Sequence, residues 1–171
     1  MPDLVDLVME ATEWEGWGLD ALAERAAATT LTHLALEPDD FEVALLACDD
    51  TRIAKLNTAF RSKPTPTNVL SWPAQELGAQ LAGAAPSVPE SDGFGEPTEL
   101  GDIAIAFQTC KREANEAQIA FEDHITHLIV HGTLHLLGYD HTREADGDLM
   151  EGIETAILAK LGISDPYSEP R

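Results

Sequence analysis

Alternating apolar and polar positions predict four short β-strands along the chain. The strands are expected at residues 4–9, 41–48, 68–72 and 101–107. Each segment carries Val, Ile, Leu or Trp at a period of two and is bounded by charged or turn-forming residues. Asp49 and Asp50 end the second of these strands, and Pro73 closes the third. No internal repeat is recognisable in the sequence.

Apolar residues at helical spacing predict five helices between and after these strands. They are expected at residues 19–36, 51–60, 108–118, 121–137 and 145–161. Asp20 lies near the start of the first helix, and Thr51 is the predicted cap of the second. Strands interleaved with helices, followed by a helical C-terminal half, predict an α+β (mixed α/β) fold in which helices cover a small mixed four-stranded sheet.

The segment 74–98 interrupts this pattern because it is rich in Gly, Ala, Pro and Ser. We interpret it as a flexible surface insertion rather than a linker between domains. A chain of 171 residues with 44% hydrophobic residues is typical of one globular domain. Residues 1–171 are therefore predicted to form a single domain.

Charge is distributed unevenly along the chain. The formal net charge is −21, which is unusual for a protein that binds nucleic acid. Between residues 51 and 73, however, there is no acidic residue, and the four cations are Arg52, Lys55, Arg61 and Lys63. General acidity is explained by solubility, but solubility does not explain why acidic residues avoid this window.

No apolar run reaches the length of a membrane span, and no signal peptide is recognisable at the N-terminus. Cys48 and Cys110 have no ligand or disulfide spacing and are typical of thiols in a reducing compartment. We therefore expect a cytoplasmic location and no membrane partner.

Five of the six histidines fall between residues 124 and 141. On a helix, His124, His127, His131 and His135 lie within roughly 80° of one another. Almost every other position of this helix is apolar, which predicts a buried helix. Because an unpaired buried polar group is costly, the histidines must face a cleft or find partners.

The spacing of three of these histidines predicts a metal site. His131 and His135 are four residues apart and therefore stack on one helix face. Gly138 can end the helix in a left-handed conformation and turn the chain so that His141 returns to the same point. Three neutral histidines with an open fourth position are typical of a catalytic zinc site, so one Zn²⁺ per chain is expected.

The spacing H-x3-H-x2-G-x2-H is also that of metzincin proteases. We therefore expect a zincin-like fold in which the metal-binding helix lies in the C-terminal half of the chain. Met150 could correspond to their methionine turn, although a core position is favoured. Those proteases carry a glutamate general base directly after the first histidine. Here that position is Gly132, which cannot accept a proton, so peptide hydrolysis by that route is not expected.

The run from His131 to His141, HGTLHLLGYDH, resembles the HGxLHLxGYDH signature of the bacterial YbeY family. Upstream, LNTAFR at 56–61 and PTNVLSWP at 66–73 are similar to the family's LNxxFR and PTDVLSFP segments. LGDI at 100–103 and GISDPY at 162–167 match as well, so the resemblance covers about residues 40–167. The departures are Asn68, Trp72, Lys63-Pro64 and the longer insertion, and none of them affects the three histidines.

This resemblance implies a zinc-dependent, single-strand-specific endoribonuclease that acts in ribosomal RNA maturation, notably at the 3′ end of the small-subunit (16S) RNA, and in ribosome quality control. It implies ribosomal RNA as the partner, with the ribosome or small-subunit proteins as further candidates. It also matches Arg61 to the family's functional arginine.

The residues themselves allow a role for Arg61 beside the metal. A bound metal would polarise a phosphoryl oxygen or activate water, and the guanidinium of Arg61 fits phosphate in a bidentate manner. The alternative is an exposed arginine at the C-terminal end of a helix. We expect Lys63, Arg52 and Lys55 to track RNA phosphates, or else to be ordinary surface cations.

Other polar residues near the signature have two interpretations each. His127 and His124 could orient ligands or contact substrate, with hydrogen bonding behind the ligands favoured. Asp140 could hold a ligand's outer nitrogen or cap the turn. Asp102 could line the cleft, but a turn position at the start of a strand is favoured.

Two other functions remain open at this level. One is a metal-dependent hydrolase of a different bond, which would keep the three histidines but leave the acid-free window unexplained. The other is a non-catalytic ribosome-assembly factor that holds a metal.

Overall fold

The computed structural model describes residues 4–90 and 95–167. Within these residues it contains four strands and five α-helices, as the sequence predicted. In chain order they are β1 (Val5–Met9), α1 (Leu19–His33), β2 (Phe41–Cys48), α2 (Asp50–Arg61), β3 (Val69–Pro73), β4 (Thr98–Ala106), α3 (Phe107–Ala117), α4 (Phe121–Leu136) and α5 (Glu144–Lys160). None of the described helices is both long enough and apolar enough to cross a bilayer.

The sheet is mixed and has the order β1-β2-β4-β3. Strands β1, β2 and β4 run parallel, and β3 pairs antiparallel with β4 at the edge of the sheet. Leu45 on the central part of β2 pairs with Leu7 on one side and with Ile103 on the other. The fold therefore agrees with the predicted small mixed four-stranded sheet.

Side chains that alternate along the strands divide the core into two layers. Val43, Leu45 and Ala47 of β2 belong to the larger cluster, which includes residues of α1, α4 and α5. Cys48 of the same strand faces the opposite side, where it packs with Ile53 of α2. The predicted buried helix α4 lies in the larger layer. Solvent reaches this helix only at its histidine-bearing edge and at its two ends.

Two local predictions are wrong. Thr51 does not cap α2, because the carboxylate of Asp49 accepts the N–H of Arg52 at 2.8 Å and takes the capping position. Asp102 does not lie in a turn. It sits inside β4, opposite Trp72 of β3, with an exposed side chain, because β4 begins three residues earlier than the sequence pattern predicted.

The segment predicted as an insertion lies against the turn that follows α4. Leu77 is buried and would meet any Cβ added at Gly138. Arg143, just before α5, donates hydrogen bonds to the carbonyls of Ala79 and Gln80 at 2.7 and 3.0 Å. Residues 91–94 of the segment lie outside the described residues, and the flexibility of the insertion stays a prediction.

Candidate metal centre

His131 and His135 lie on the last two turns of α4. Their Nε2 atoms are 3.0 Å apart and their ring centroids 4.5 Å apart. This proximity follows from the i, i+4 spacing, which places both side chains on one edge of the helix. The flanking residues Val130 and Leu134 are fully buried, so only the edge that carries the histidines opens toward solvent.

A tight turn brings His141 back to the same point. Gly138 follows the end of α4 with a φ of +97°, a left-handed conformation that favours glycine. Its N–H donates to the carbonyl of His135 at 3.0 Å. The ring centroid of His141 is 5.6 Å from that of His131 and 5.1 Å from that of His135. One nitrogen from each of the three rings therefore lies within 4.8 Å of the others.

The outer nitrogens of His131 and His135 contact groups that can only accept a hydrogen bond. Nδ1 of His131 is 3.0 Å from Oε2 of Glu154, and Nδ1 of His135 is 2.9 Å from the carbonyl oxygen of Tyr139. Each Nδ1 must therefore carry the proton and donate it. In the neutral rings this leaves both Nε2 atoms unprotonated, with their lone pairs available.

This arrangement fits a divalent metal ion. Two unprotonated Nε2 atoms 3.0 Å apart repel each other unless a proton or a cation lies between them. Burial, together with the neighbouring His131 and His141, lowers the pKa of His135 to about 4, which keeps this ring neutral at physiological pH. Neutral imidazoles with their outer nitrogens hydrogen-bonded are the form in which histidine ligates metals. The cluster of His131, His135 and His141 can therefore hold a metal.

Glu154 is a buried residue of this site that the sequence analysis missed. Its side chain is fully buried on α5, and its two oxygens contact His127 and His131. Burial alone would raise the pKa of Glu154, but hydrogen bonds from these two histidines outweigh it and bring the pKa to about 2. The signal in the sequence was a single carboxylate on the face of α5 that otherwise carries Met150, Ile157 and Leu158.

His127, His131 and Glu154 also form a second group of closely spaced ligand atoms. In this group the ligand atoms already hydrogen-bond to one another. His131 belongs to both groups, so one ring would have to serve two metal ions. The group at the cleft, formed by His131, His135 and His141, is therefore the better candidate for a metal site.

Arg61 and the three histidines line one cleft of about 550 Å³. Arg61 is the last residue of α2 and has an exposed side chain. Phe60 and Trp72 form part of the wall, with ring centroids 5.3 Å apart. The structure thus brings together a cation and a histidine cluster that are 70 residues apart in sequence, counted from Arg61 to His131.

The other cations of the acid-free window lie outside this cleft. Its lining, among the described residues, includes none of Arg52, Lys55 and Lys63, although all three side chains are exposed. Arg52 forms an ion pair with Glu10, with an N–O distance of 3.5 Å. Of the four cations of this window, only Arg61 lines the cleft that holds the three histidines.

Gly132, at the position of the protease glutamate, faces the sheet and not the cleft. A Cβ at this position would lie 3.1 Å from Cδ1 of Ile103 on β4. The residue is fully buried between α4 and the sheet. A carboxylate there would point into the core, so the geometry gives no support to a protease-like general base.

The remaining polar candidates have defined partners. His124 contacts Oε1 of Glu113 on α3 at 3.0 Å and does not belong to the cluster of three histidines. His127 lies behind His131 and contacts Glu154. The carboxylate of Asp140 accepts the backbone N–H of His141 at 2.7 Å and the hydroxyl of Thr142 at 3.0 Å. Asp140 therefore shapes the turn that presents His141, while the outer nitrogen of His135 is held by a backbone carbonyl.

Known proteins resemble this chain over nearly its whole length. The proteins named Endoribonuclease YbeY from Ruegeria sp. (strain TM1040) and from Ruegeria pomeroyi are 55% and 56% identical to it over 164 residues. The alignments cover 96% of this chain and 96% and 98% of the two relatives. The protein of the same name from Methylocella silvestris is 41% identical, over 99% of this chain and 89% of its own.

The solution structure of TM1509 from Thermotoga maritima has a similar fold. Its TM-score is 0.54 at 20% sequence identity, and the alignment covers 96% of this chain and 99% of that one. The family described as Endoribonuclease YbeY matches residues 10–162, which include β2 to α5, Arg61 and the three histidines. This chain therefore belongs to the YbeY endoribonuclease family.

Proposed function

We propose that this chain is a zinc-dependent endoribonuclease that cuts single-stranded RNA in ribosomal RNA maturation, at the 3′ end of the small-subunit RNA, and in ribosome quality control. The observation that carries the proposal is the joint position of Arg61 and three histidines in one cleft. The names of the related proteins support the reaction class, and the family resemblance supports the choice of RNA.

The ligands of the proposed zinc ion are His131, His135 and His141, with one ion per chain. A set of three histidines leaves one coordination position for a non-protein ligand, which is typical of catalytic zinc. When bound, such an ion supplies Lewis acidity toward a phosphoryl oxygen or a water molecule. Glu154 and the carbonyl of Tyr139 accept hydrogen bonds from the two Nδ1 atoms and thereby fix the orientation of His131 and His135.

In this proposal Arg61 is the catalytic cation. Its guanidinium offers two parallel N–H donors that match two phosphate oxygens. Because the cleft is shared with the histidines, the arginine can hold the scissile phosphate there and balance the charge that develops on it. Arg52, Lys55 and Lys63 attract the RNA strand without touching the reacting phosphate.

The geometry of the cleft fits a flexible single strand. Phe60 is exposed at its rim beside Trp72, and exposed aromatic faces stack on unpaired bases.

We further propose that residues 1–171 form one domain in the cytoplasm, with 74–98 as an insertion. Small-subunit proteins are the proposed source of site selection on the ribosome.

The proposal is tested with highly purified protein and a labelled single-stranded RNA that carries the 3′ extension of the small-subunit RNA. We expect cleavage of the single strand and not of the same RNA annealed to its complement. A chelator should abolish cleavage, and zinc should restore it.

The control for contaminating nucleases is a set of ligand variants purified in parallel. His131→Ala, His135→Ala and His141→Ala should each lose zinc and cleavage, whereas His124→Ala, which contacts Glu113 instead, should keep both. Cleavage at the wild-type rate by the three ligand variants would show that the activity comes from another protein and would refute the proposal.

A further inference from the structure

A buried hydrogen-bond cluster lies directly behind the proposed ligand His131. At its centre is Glu154, whose Oε2 accepts from Nδ1 of His131 at 3.0 Å. Its other oxygen, Oε1, contacts Nε2 of His127 and accepts the hydroxyl of Tyr167 at 2.7 Å. Three donors, two from α4 and one from the C-terminal segment, thus converge on one fully buried carboxylate of α5.

Tyr167 reaches this cluster because the segment after α5 folds back along the helix. The carboxylate of Asp165 accepts the backbone N–H of Tyr167 at 2.8 Å and the hydroxyl of Thr155 on α5 at 3.2 Å. The ring of Tyr167 then stands edge-to-face against His127, with centroids 5.9 Å apart. Its hydroxyl is thereby directed at Glu154 while its ring stays partly in solvent.

We propose that Glu154 is a positioning residue that fixes His131 in its metal-binding orientation and tautomer, and that Tyr167 makes the C-terminal segment part of the metal centre. The inference rests on the proposed metal site and deepens it by naming residues that act through a ligand. A carboxylate is the group that this geometry requires, because both of its oxygens accept and neither donates. Only a protonated Nδ1 can face it, so the lone pair of His131 stays on Nε2.

Glutamine at position 154 would have nearly the same shape but different hydrogen-bonding capacity. Its amide accepts at one end and donates at the other. With its NH₂ group toward His131, the amide would force Nδ1 to accept and would place the proton on Nε2, where the metal should bind. With the amide turned over, Tyr167 and His127 would face the NH₂ group instead, and their present donor arrangement would be lost.

The first test measures zinc affinity by competition with a chromophoric chelator. Loss of such a hydrogen-bonding partner behind a ligand typically weakens metal binding by about 10- to 100-fold, and we expect this for Glu154→Gln. Tyr167→Phe removes one of three donors and should weaken binding by roughly two- to tenfold. Glu151→Gln changes an exposed glutamate three residues earlier on the same helix and should leave the affinity unchanged.

The second test reads the tautomer of His131 in metal-free protein by two-bond ¹H–¹⁵N correlation spectra. In the wild type we expect a protonated Nδ1 and an unprotonated Nε2. In Glu154→Gln we expect a measurable population of the Nε2-protonated form. A residue that serves only to stabilise the fold would change the thermal midpoint but neither this tautomer nor the affinity of the folded protein for zinc.

Wild-type zinc affinity and an unchanged His131 tautomer in folded Glu154→Gln would overturn the inference. If that variant does not fold, the zinc affinity of Tyr167→Phe decides, because this variant removes one donor and keeps the buried carboxylate and its two histidines; wild-type affinity there, or a wild-type His131 protonated on Nε2, would overturn the inference. If the wild type itself binds no zinc at the three histidines, the proposed function fails, and the spectra of the metal-free protein still test the positioning of His131.

Discussion

For Arg61, the sequence gives a position at the end of a helix, whereas the structure gives a position in the cleft that the three histidines line. Its position at the C-terminal end of α2 is equally consistent with a solvent-exposed cation that interacts with the helix dipole. Only the three-dimensional arrangement places it in the same cleft as His131, His135 and His141. A functional test must therefore separate a contribution to turnover from a contribution to stability.

Arg61→Ala is expected to keep zinc content and thermal midpoint but to lose most RNA cleavage. Removing one preorganised charge from a reacting centre costs roughly a hundred- to thousandfold in rate. Arg61→Lys should recover only part of this loss, since an ammonium group lacks the bidentate geometry. The measurement is the single-turnover cleavage rate together with metal content for the same preparation.

The matched control is Arg52→Ala, which removes a cation from the same helix. Arg52 pairs with Glu10 outside the cleft, so the variant should change the cleavage rate by no more than a few-fold. Normal turnover in Arg61→Ala would remove Arg61 from the site and leave the histidine cluster unaffected.

At the residue scale, the sequence predicted contacts between residues that are close together in the chain, but not contacts between residues far apart in it. The signature HGTLHLLGYDH contains all three predicted ligands within eleven residues, so the helix and the turn at Gly138 bring them together locally. Glu154 lies 23 residues beyond His131 on another helix, and its contact depends on how α5 packs against α4. A single acidic residue on an apolar helix face signals burial, but it does not identify its partner.

At the level of whole elements, the packing of α4 on the sheet explains why a glycine follows His131. Gly132 is buried against Ile103, and even a methyl group would lie within 3.1 Å of that side chain. Close contact between α4 and β4 is thus built into the signature, and the histidine edge of α4 shares its cleft with residues of the edge strand β3. The same packing excludes a longer side chain.

Gly132→Glu is expected to lower stability by about 3–5 kcal/mol, because it forces a carboxylate into an apolar interface. It should create no peptidase activity toward an unfolded substrate such as casein. Gly152→Glu is the matched control, since Gly152 is exposed on α5 and a Cβ there meets nothing within 4 Å. Denaturant unfolding compares the two variants with the wild type, and an equal loss in both would contradict this account of the interface.

Element types were predictable, whereas some boundaries were not. The period-two pattern located β2 because its alternate residues enter the larger core cluster, and α4 was located by apolar residues on every side except the histidine edge. The start of β4 was missed because Thr98 and Glu99 are polar residues that join the sheet through backbone pairing with β2. The cap of α2 was misplaced by two residues because Asp49 and Thr51 are both good capping residues.

At the scale of the whole molecule, the distribution of charge determines the long-range electrostatic force on an approaching RNA strand. A net charge of −21 repels a polyanion at long range, while the acid-free window at 51–73 forms a local exception beside the cleft. Salt screens the repulsion over about 10 Å at 0.1 M. RNA affinity should therefore fall less steeply with salt than it does for a basic nuclease, in which every screened interaction is attractive.

Lys63→Glu is the variant that tests this balance. Lys63 is exposed two residues after Arg61 and does not line the cleft, so reversing its charge should raise KM several-fold at low salt and leave kcat nearly unchanged. The effect should shrink as salt rises toward 0.15 M, because only long-range electrostatics has changed.

Arg25→Glu is the control with the same charge change. Arg25 lies near Glu122 and Asp123 at the start of α4, at the other end of the helix from the ligands. Equal increases in KM for the two variants would show that net charge alone governs RNA approach and that the acid-free window has no special role.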